Sequence, residues 1–178
     1  MLLAAGLCGE AEAGAAATAK LIDLERNVVG HADFRATTHG VLIEIAVNGL
    51  PPGPHAVLLH STAACDPGTQ FTSAGPVFSF DSERPHGYLA KGGPRAGDLP
   101  MQFAAADGTL HASIATTAIT LGNGAKSIFD RDGVSIIVHA NGDDYLSQPD
   151  GRAGPRLACG TIIRTVAPGP QKRAKKHK

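Results

Sequence analysis

The sequence predicts an all-β domain, an eight-stranded Greek-key β-barrel or sandwich carrying two long loops. Three observations lead there. Hydrophobic residues make up 43% of the 178-residue chain, yet only 4% are aromatic and there is no Trp, so the core is built from Val, Ile, Leu and Ala. Gly (22) and Pro (12) recur as turn formers. Short β-branched segments alternate with turn chemistry, and helical signals are few.

Residues 19–24 alternate weakly, and residues 28–38 form a second candidate strand. Residues 41–47 are strongly β-branched and end at Asn48-Gly49, a turn dipeptide. Pro51-Pro52-Gly53-Pro54 reads as a tight connection, and residues 57–60 as a buried strand ending in His60. No period holds from 61 to 100, where Gly, Pro, Ser and Asp abound. A loop of that length in a compact domain points to a functional role or to separate support. Residues 101–105 and 110–119 flank Asp107-Gly108, a hairpin signal. Residues 134–139 form a strand ending in His139, residues 140–155 a second long loop, and residues 157–164 the last strand. About eight strands result, the number of a sandwich or Greek-key barrel. Both long loops follow a strand that ends in histidine. That repetition is the best pointer to a site, because loops held by a rigid scaffold carry function.

Residues 19–166 are expected to form one domain, between an N-terminal segment (1–18) and a basic tail (167–178). Lys+Arg and Asp+Glu are both 16, so bulk charge gives no argument for nucleic acid as a partner. The tail, Lys172-Arg173-Ala174-Lys175-Lys176-His177-Lys178, suits either a solvated terminus or contact with an acidic partner, a membrane surface or RNA. The first residues combine a short apolar run with small residues but lack a basic start, which leaves a signal remnant and a flexible segment both open. No stretch approaches the roughly 20 apolar residues of a transmembrane helix. Of the three cysteines, Cys8, Cys65 and Cys159, two can bridge in an oxidising compartment, but composition alone does not pair them.

Several segments resemble one family, the copper–zinc superoxide dismutases. Gly49-Leu50-Pro51-Pro52-Gly53-Pro54-His55 is similar to the approach to that family's first copper-ligand strand. Phe71-Thr72-Ser73-Ala74-Gly75-Pro76 and Gly97-Asp98-Leu99-Pro100 resemble the start and end of its metal-binding loop. Val138-His139-Ala140-Asn141-Gly142-Asp143-Asp144-Tyr145 resembles the second copper strand and the loop after it. Gln148-Pro149 and Ala153-Gly154-Pro155-Arg156-Leu157-Ala158-Cys159-Gly160 resemble the C-terminal signature of bacterial members. The matches run in order over residues 19–164 and imply the Greek-key barrel already suggested by the strand count. The resemblance also implies a Cys65–Cys159 disulfide, and with it an oxidising compartment, periplasmic or secreted.

By the same resemblance, four copper positions fall on Leu58, His60, Val77 and His139, so two histidines are missing, including the one shared with zinc at Val77. The zinc positions fall on Val77, His86, Arg95 and Asp98, so only His86 and Asp98 survive. His55 matches a histidine that supports the site without binding copper. Asp143 matches a carboxylate that links a copper histidine to a zinc histidine, and Arg156 matches the arginine that attracts the superoxide anion. Arg95 is expected to replace zinc by pairing its charge with Asp98 or Asp143. His31, His39, His111 and His177 match no metal position and are expected at the surface.

The resemblance with these losses implies a dismutase-fold chain without dismutase activity, in a structural or protein-interaction role, as a homodimer or a subunit of a larger assembly. Two alternatives stay open: a divergent copper-dependent dismutase, and a copper-binding or carrier protein using His60 and His139, imidazole being a ligand that suits copper. The surviving histidines also have a purely structural reading as satisfied polar groups.

Overall fold

The computed structural model describes residues 15–129 and 132–166. Cys8 and the basic tail lie outside the described residues. Ten strands are described: β1 (Ala15–Ile22), β2 (Val28–Thr37), β3 (Gly40–Val47), β4 (Gly53–His55), β5 (Val57–His60), β6 (Gln102–Ala104), β7 (Leu110–Thr116), β8 (Ser135–His139), β9 (Arg156–Thr161) and β10 (Ile163–Val166). Eight form one antiparallel sheet in the order β5-β8-β9-β1-β2-β3-β7, with β10 also on β1; β4 and β6 pair as a separate ribbon.

Alternation explains the main sheet. In β3 the residues Val41, Ile43, Ile45 and Val47 are buried while their neighbours are half-exposed. Period two therefore delivers one apolar face. The sheet curls so that Phe34, Ile43, Leu59, Leu110, Ile136 and Ala158, from both ends of the strand order, share one core. Truncating such a side chain costs about 3–5 kcal/mol.

Two sequence expectations change. The prolines read as a bare connection include β4, which pairs with β6 in the register Gly53↔Ala104 to His55↔Gln102. The Asp107-Gly108 turn exists, with Gly108 at φ +80°, but it does not join a two-strand hairpin. β6 pairs with β4, and β7 pairs with β3.

β5 and β8 are buried on both faces. Val57 and Leu59 belong to the barrel core, whereas Leu58 packs in a separate cluster with Ala56, Val77 and Ala153. By alternation Leu58 and His60 point away from the barrel core, under the long loop of residues 61–101. That loop is laced onto β5: Leu59 N donates to Gly97 O, Phe78 N to Leu59 O, and Ser61 N to Pro76 O. The Cys65–Cys159 disulfide, with a Cα–Cα distance of 5.6 Å, ties the same loop to β9.

Candidate metal centre

β5 and β8 pair antiparallel, from Val57↔Val138 to His60↔Ser135. The two strand-ending histidines both lie beneath the loops and are buried. Their rings are 5.4 Å apart between centroids and inclined by 28°. Each Nδ1 lies on a main-chain carbonyl: His60 Nδ1 is 2.8 Å from Gly75 O, and His139 Nδ1 is 3.1 Å from Gly154 O. A carbonyl only accepts, so each Nδ1 carries the proton and donates. In a neutral ring that leaves Nε2 bare. The two bare nitrogens face one another at 3.2 Å.

Both rings are held neutral. Burial, then the neighbouring His139 and Arg156 charges, push His60 well below its usual pKa. Burial lowers His139, outweighing the support of Gly154 O. The two unprotonated Nε2 atoms are therefore close neighbours. Bonds of about 2.0–2.1 Å to one ion place two imidazole nitrogens no more than about 4 Å apart. The 3.2 Å spacing fits that limit. Next to this pair, the positions that carry ligands in the resembled family hold Leu58 and Val77, packed with Ala56 and Ala153. Among the described residues no group of three or more His, Cys, Asp or Glu is placed to hold a metal ion.

The zinc half has a different chemistry. His86 is fully buried. Its Nδ1 is 2.7 Å from Asp98 Oδ1 and its Nε2 is 3.0 Å from Asp143 Oδ1. Burial by itself would lower its pKa, but the hydrogen bonds and charges of Asp143 and Asp98 prevail and raise it to about 9. His86 is therefore an imidazolium clamped between two carboxylates. Asp98 is engaged through both oxygens: Oδ1 takes His86, and Oδ2 takes Gly87 N at 2.7 Å and Arg95 N at 2.9 Å. Of the four zinc positions implied by the resemblance, Val77 has no donor and Arg95 carries a fixed positive charge, so His86 and Asp98 alone do not complete a four-coordinate zinc site.

Arg95 is not the cation between the two carboxylates. Its main-chain N reaches Asp98, but its guanidinium turns outward, Nε to Arg84 O at 2.8 Å and an Nη to Pro149 O at 3.3 Å. Among the described residues it makes no ion pair with Asp98 or Asp143. The reason is steric and electrostatic: His86 already occupies the space and charge between the two carboxylates.

Asp143 is only partly satisfied. Oδ1 accepts from His86 Nε2 and from Tyr145 N, while Oδ2 is buried without a hydrogen-bond partner. Arg156 donates one Nη to Phe71 O and the other to Gly75 O, at 2.8 Å for the second, and so braces the carbonyl that orients His60. His55 lies 2.7 Å from both His139 O and Pro51 O. His31, His39 and His111 are exposed.

Sequence reasoning missed two residues of this centre. Gln148 brackets the His86 main chain, accepting from its N at 2.9 Å and donating to its O at 2.9 Å. Its motif with Pro149 was visible, but its role was not. Gly151, at φ +67°, lies so close that a Cβ there would meet Asp143 Oδ1 at 1.8 Å. Only the local backbone reveals that requirement.

The sequence pattern of copper/zinc superoxide dismutase (SODC) matches residues 28–162. A superoxide dismutase [Cu-Zn] of Caulobacter vibrioides is 44% identical over 127 residues, covering 70% of this chain and 72% of that protein. Superoxide dismutase [Cu-Zn] 2 of Aquifex aeolicus is 38% identical over 148 residues, 82% of this chain and 85% of its own length. The crystal structure of a SOD-like protein from Bacillus subtilis aligns with a TM-score of 0.77 at 31% identity, covering 82% of this chain and 97% of that one.

Proposed function

The chain belongs to the copper/zinc superoxide dismutase family, and from that premise we propose that it has lost dismutation and keeps only a two-imidazole copper position. One observation carries the reading: the bare Nε2 atoms of His60 and His139 converge at 3.2 Å with Leu58 and Val77 beside them in an apolar cluster. His60 and His139 would hold copper, which when bound supplies one-electron chemistry in the relatives named as dismutases. Here the protein offers two nitrogen donors, their Nδ1 protons fixed by Gly75 O and Gly154 O. Leu58 and Val77 cannot donate, and no imidazole links the copper position to the zinc position. Site chemistry, not fold, decides activity.

A structural or interaction role is the second reading, favoured by the His86 clamp, which needs no metal to close the loops. The disulfide supports an oxidising compartment in either case.

Titration of the purified chain with Cu(II), Cu(I) and Zn(II), followed by a superoxide-decay assay of the copper-loaded protein after removal of free metal, tests the proposal. Expected are at most one copper per chain, lost in His60→Ala and His139→Ala, no zinc, and decay no faster than in buffer. Fast decay by the loaded chain would overturn the loss of dismutation. Failure of any copper form to bind would leave the structural role.

A further inference from the structure

Three cations meet at one cleft whose wall includes Arg95 but none of His60, His86, Asp98 and His139. The cleft has a volume of about 330 Å³ and is lined by Arg84, Arg95 and Lys126 over Phe80 and Ala118, with Asp81 the only acidic side chain in its wall. Each cation is anchored by main-chain carbonyls: Arg84 to Pro94 O at 3.2 Å, Arg95 to Arg84 O at 2.8 Å and Pro149 O at 3.3 Å, and Lys126 to Thr117 O at 3.4 Å. Among the described residues none of the three forms an ion pair with a carboxylate. Carbonyls fix the direction of these groups without neutralising them. The Asp81 carboxylate is itself engaged, accepting from Glu83 N at 3.0 Å in a local turn.

The cleft therefore presents three positive charges against one negative charge, on walls that are largely apolar. Phe80 is 47% exposed and packs edge-on against buried Phe78, with centroids 4.8 Å apart, so its remaining surface is both held in place and free. Convergent guanidinium groups are the usual donors for phosphate and carboxylate oxygens, and a fixed aromatic edge or face takes a flat apolar group.

We propose that this cleft binds a small organic anion, a dianionic head group carrying a flat apolar body, with Arg84, Arg95 and Lys126 on the head and Phe80 on the body. The proposal accounts for Arg95, whose charge is not used at Asp98. The substitution that removed a zinc-position ligand placed a carbonyl-anchored cation on the outer side of the same loop. It does not depend on whether copper binds at His60 and His139.

Phenyl phosphate, inorganic phosphate and benzyl alcohol are the probes, titrated into the metal-free full chain and followed by amide chemical shifts in NMR. Phenyl phosphate should saturate, with shifts confined to the segments around Phe80, Arg84, Ala96 and Lys126. It should bind about fivefold or more tightly than inorganic phosphate, the increment of one aromatic contact, and benzyl alcohol should not bind. Lys126→Gln should weaken it about tenfold, as loss of one charge-assisted contact does. Arg84→Gln should act in the same direction, and Lys126→Gln guards against a loop shift because Lys126 lies on a different segment. Non-saturating shifts spread over Lys20, Arg35 and Arg152, equal affinity for phosphate and phenyl phosphate, or unchanged affinity in Lys126→Gln would each overturn the proposal.

Discussion

His86 is where this centre parts from a metal site, and its proton makes the difference measurable. Held between Asp98 and Asp143, it has a pKa near 9 against an ordinary 6.5. The folded state thus keeps a proton that the unfolded chain releases near pH 6.5. The resulting stabilisation is complete below about pH 6.5 and is lost as pH rises through about 9, amounting to about 3 kcal/mol. Urea unfolding between pH 7.5 and 9.5, above the range in which the lowered His60 and His139 make stability rise with pH, should show that decline, and His86→Gln should remove it there. A wild-type stability that stays flat across it would contradict an imidazolium clamp. Leu58 gives the second residue-scale prediction. Asp143 Oδ2 is buried and unpartnered, and in the resembled family the matching carboxylate links a zinc histidine to the copper histidine whose position Leu58 holds. Leu58→His should supply a donor at that position and add a third nitrogen near His60 and His139, tightening copper about tenfold or more in a competition titration, since about 1.4 kcal/mol already gives tenfold.

At the scale of elements, the two long loops are held by different devices. The loop of residues 140–155 closes on His86 through Gly151, where a Cβ would lie 1.8 Å from Asp143 Oδ1 and 2.9 Å from His86 Nε2 at φ +67°. Gly151→Ala should destabilise the fold by about 2–4 kcal/mol, combining left-handed strain with disruption of a buried ion pair, and should also flatten the pH slope seen by urea unfolding. The loop of residues 61–101 is pinned by Cys65–Cys159 across a sequence separation of 94. Chain entropy sets the worth of that link at up to about 4–5 kcal/mol. Strands with period-two burial, such as β3 with Val41, Ile43, Ile45 and Val47, were legible in the sequence because alternation is a local signal. The β4–β6 ribbon was not, because Pro54 hides a three-residue strand whose partner lies far along the chain. Positions 58, 60, 77 and 139 were legible as a set through the resemblance. The outward turn of Arg95 was not, since it depends on what His86, Asp98 and Pro149 do in three dimensions.

At the scale of the whole molecule, the barrel keeps one core from β1 to β9, and Leu58 and Val77 form a separate small apolar cluster with Ala56 and Ala153 beneath the loops. A structural zinc contributes folding energy outright. In the proposed reading a proton on His86, bridging Asp98 and Asp143, does the corresponding work. Chelation should therefore leave the unfolding midpoint of the purified chain within about 2 °C, whereas reduction of Cys65–Cys159 should lower it well beyond that, since about 1 kcal/mol corresponds to 2–4 °C for a chain of this size. Added copper gives the complementary measurement. A ligand that binds only the folded state at about 100 times its Kd adds about 2.7 kcal/mol. Differential scanning calorimetry should show that upward shift with copper in the wild-type chain and lose it in His60→Ala and in His139→Ala, while zinc at the same concentration shifts neither. A zinc-dependent rise in the wild-type midpoint would mean that the metal can displace the His86 proton, and the barrel would then not be independent of its ancestral zinc.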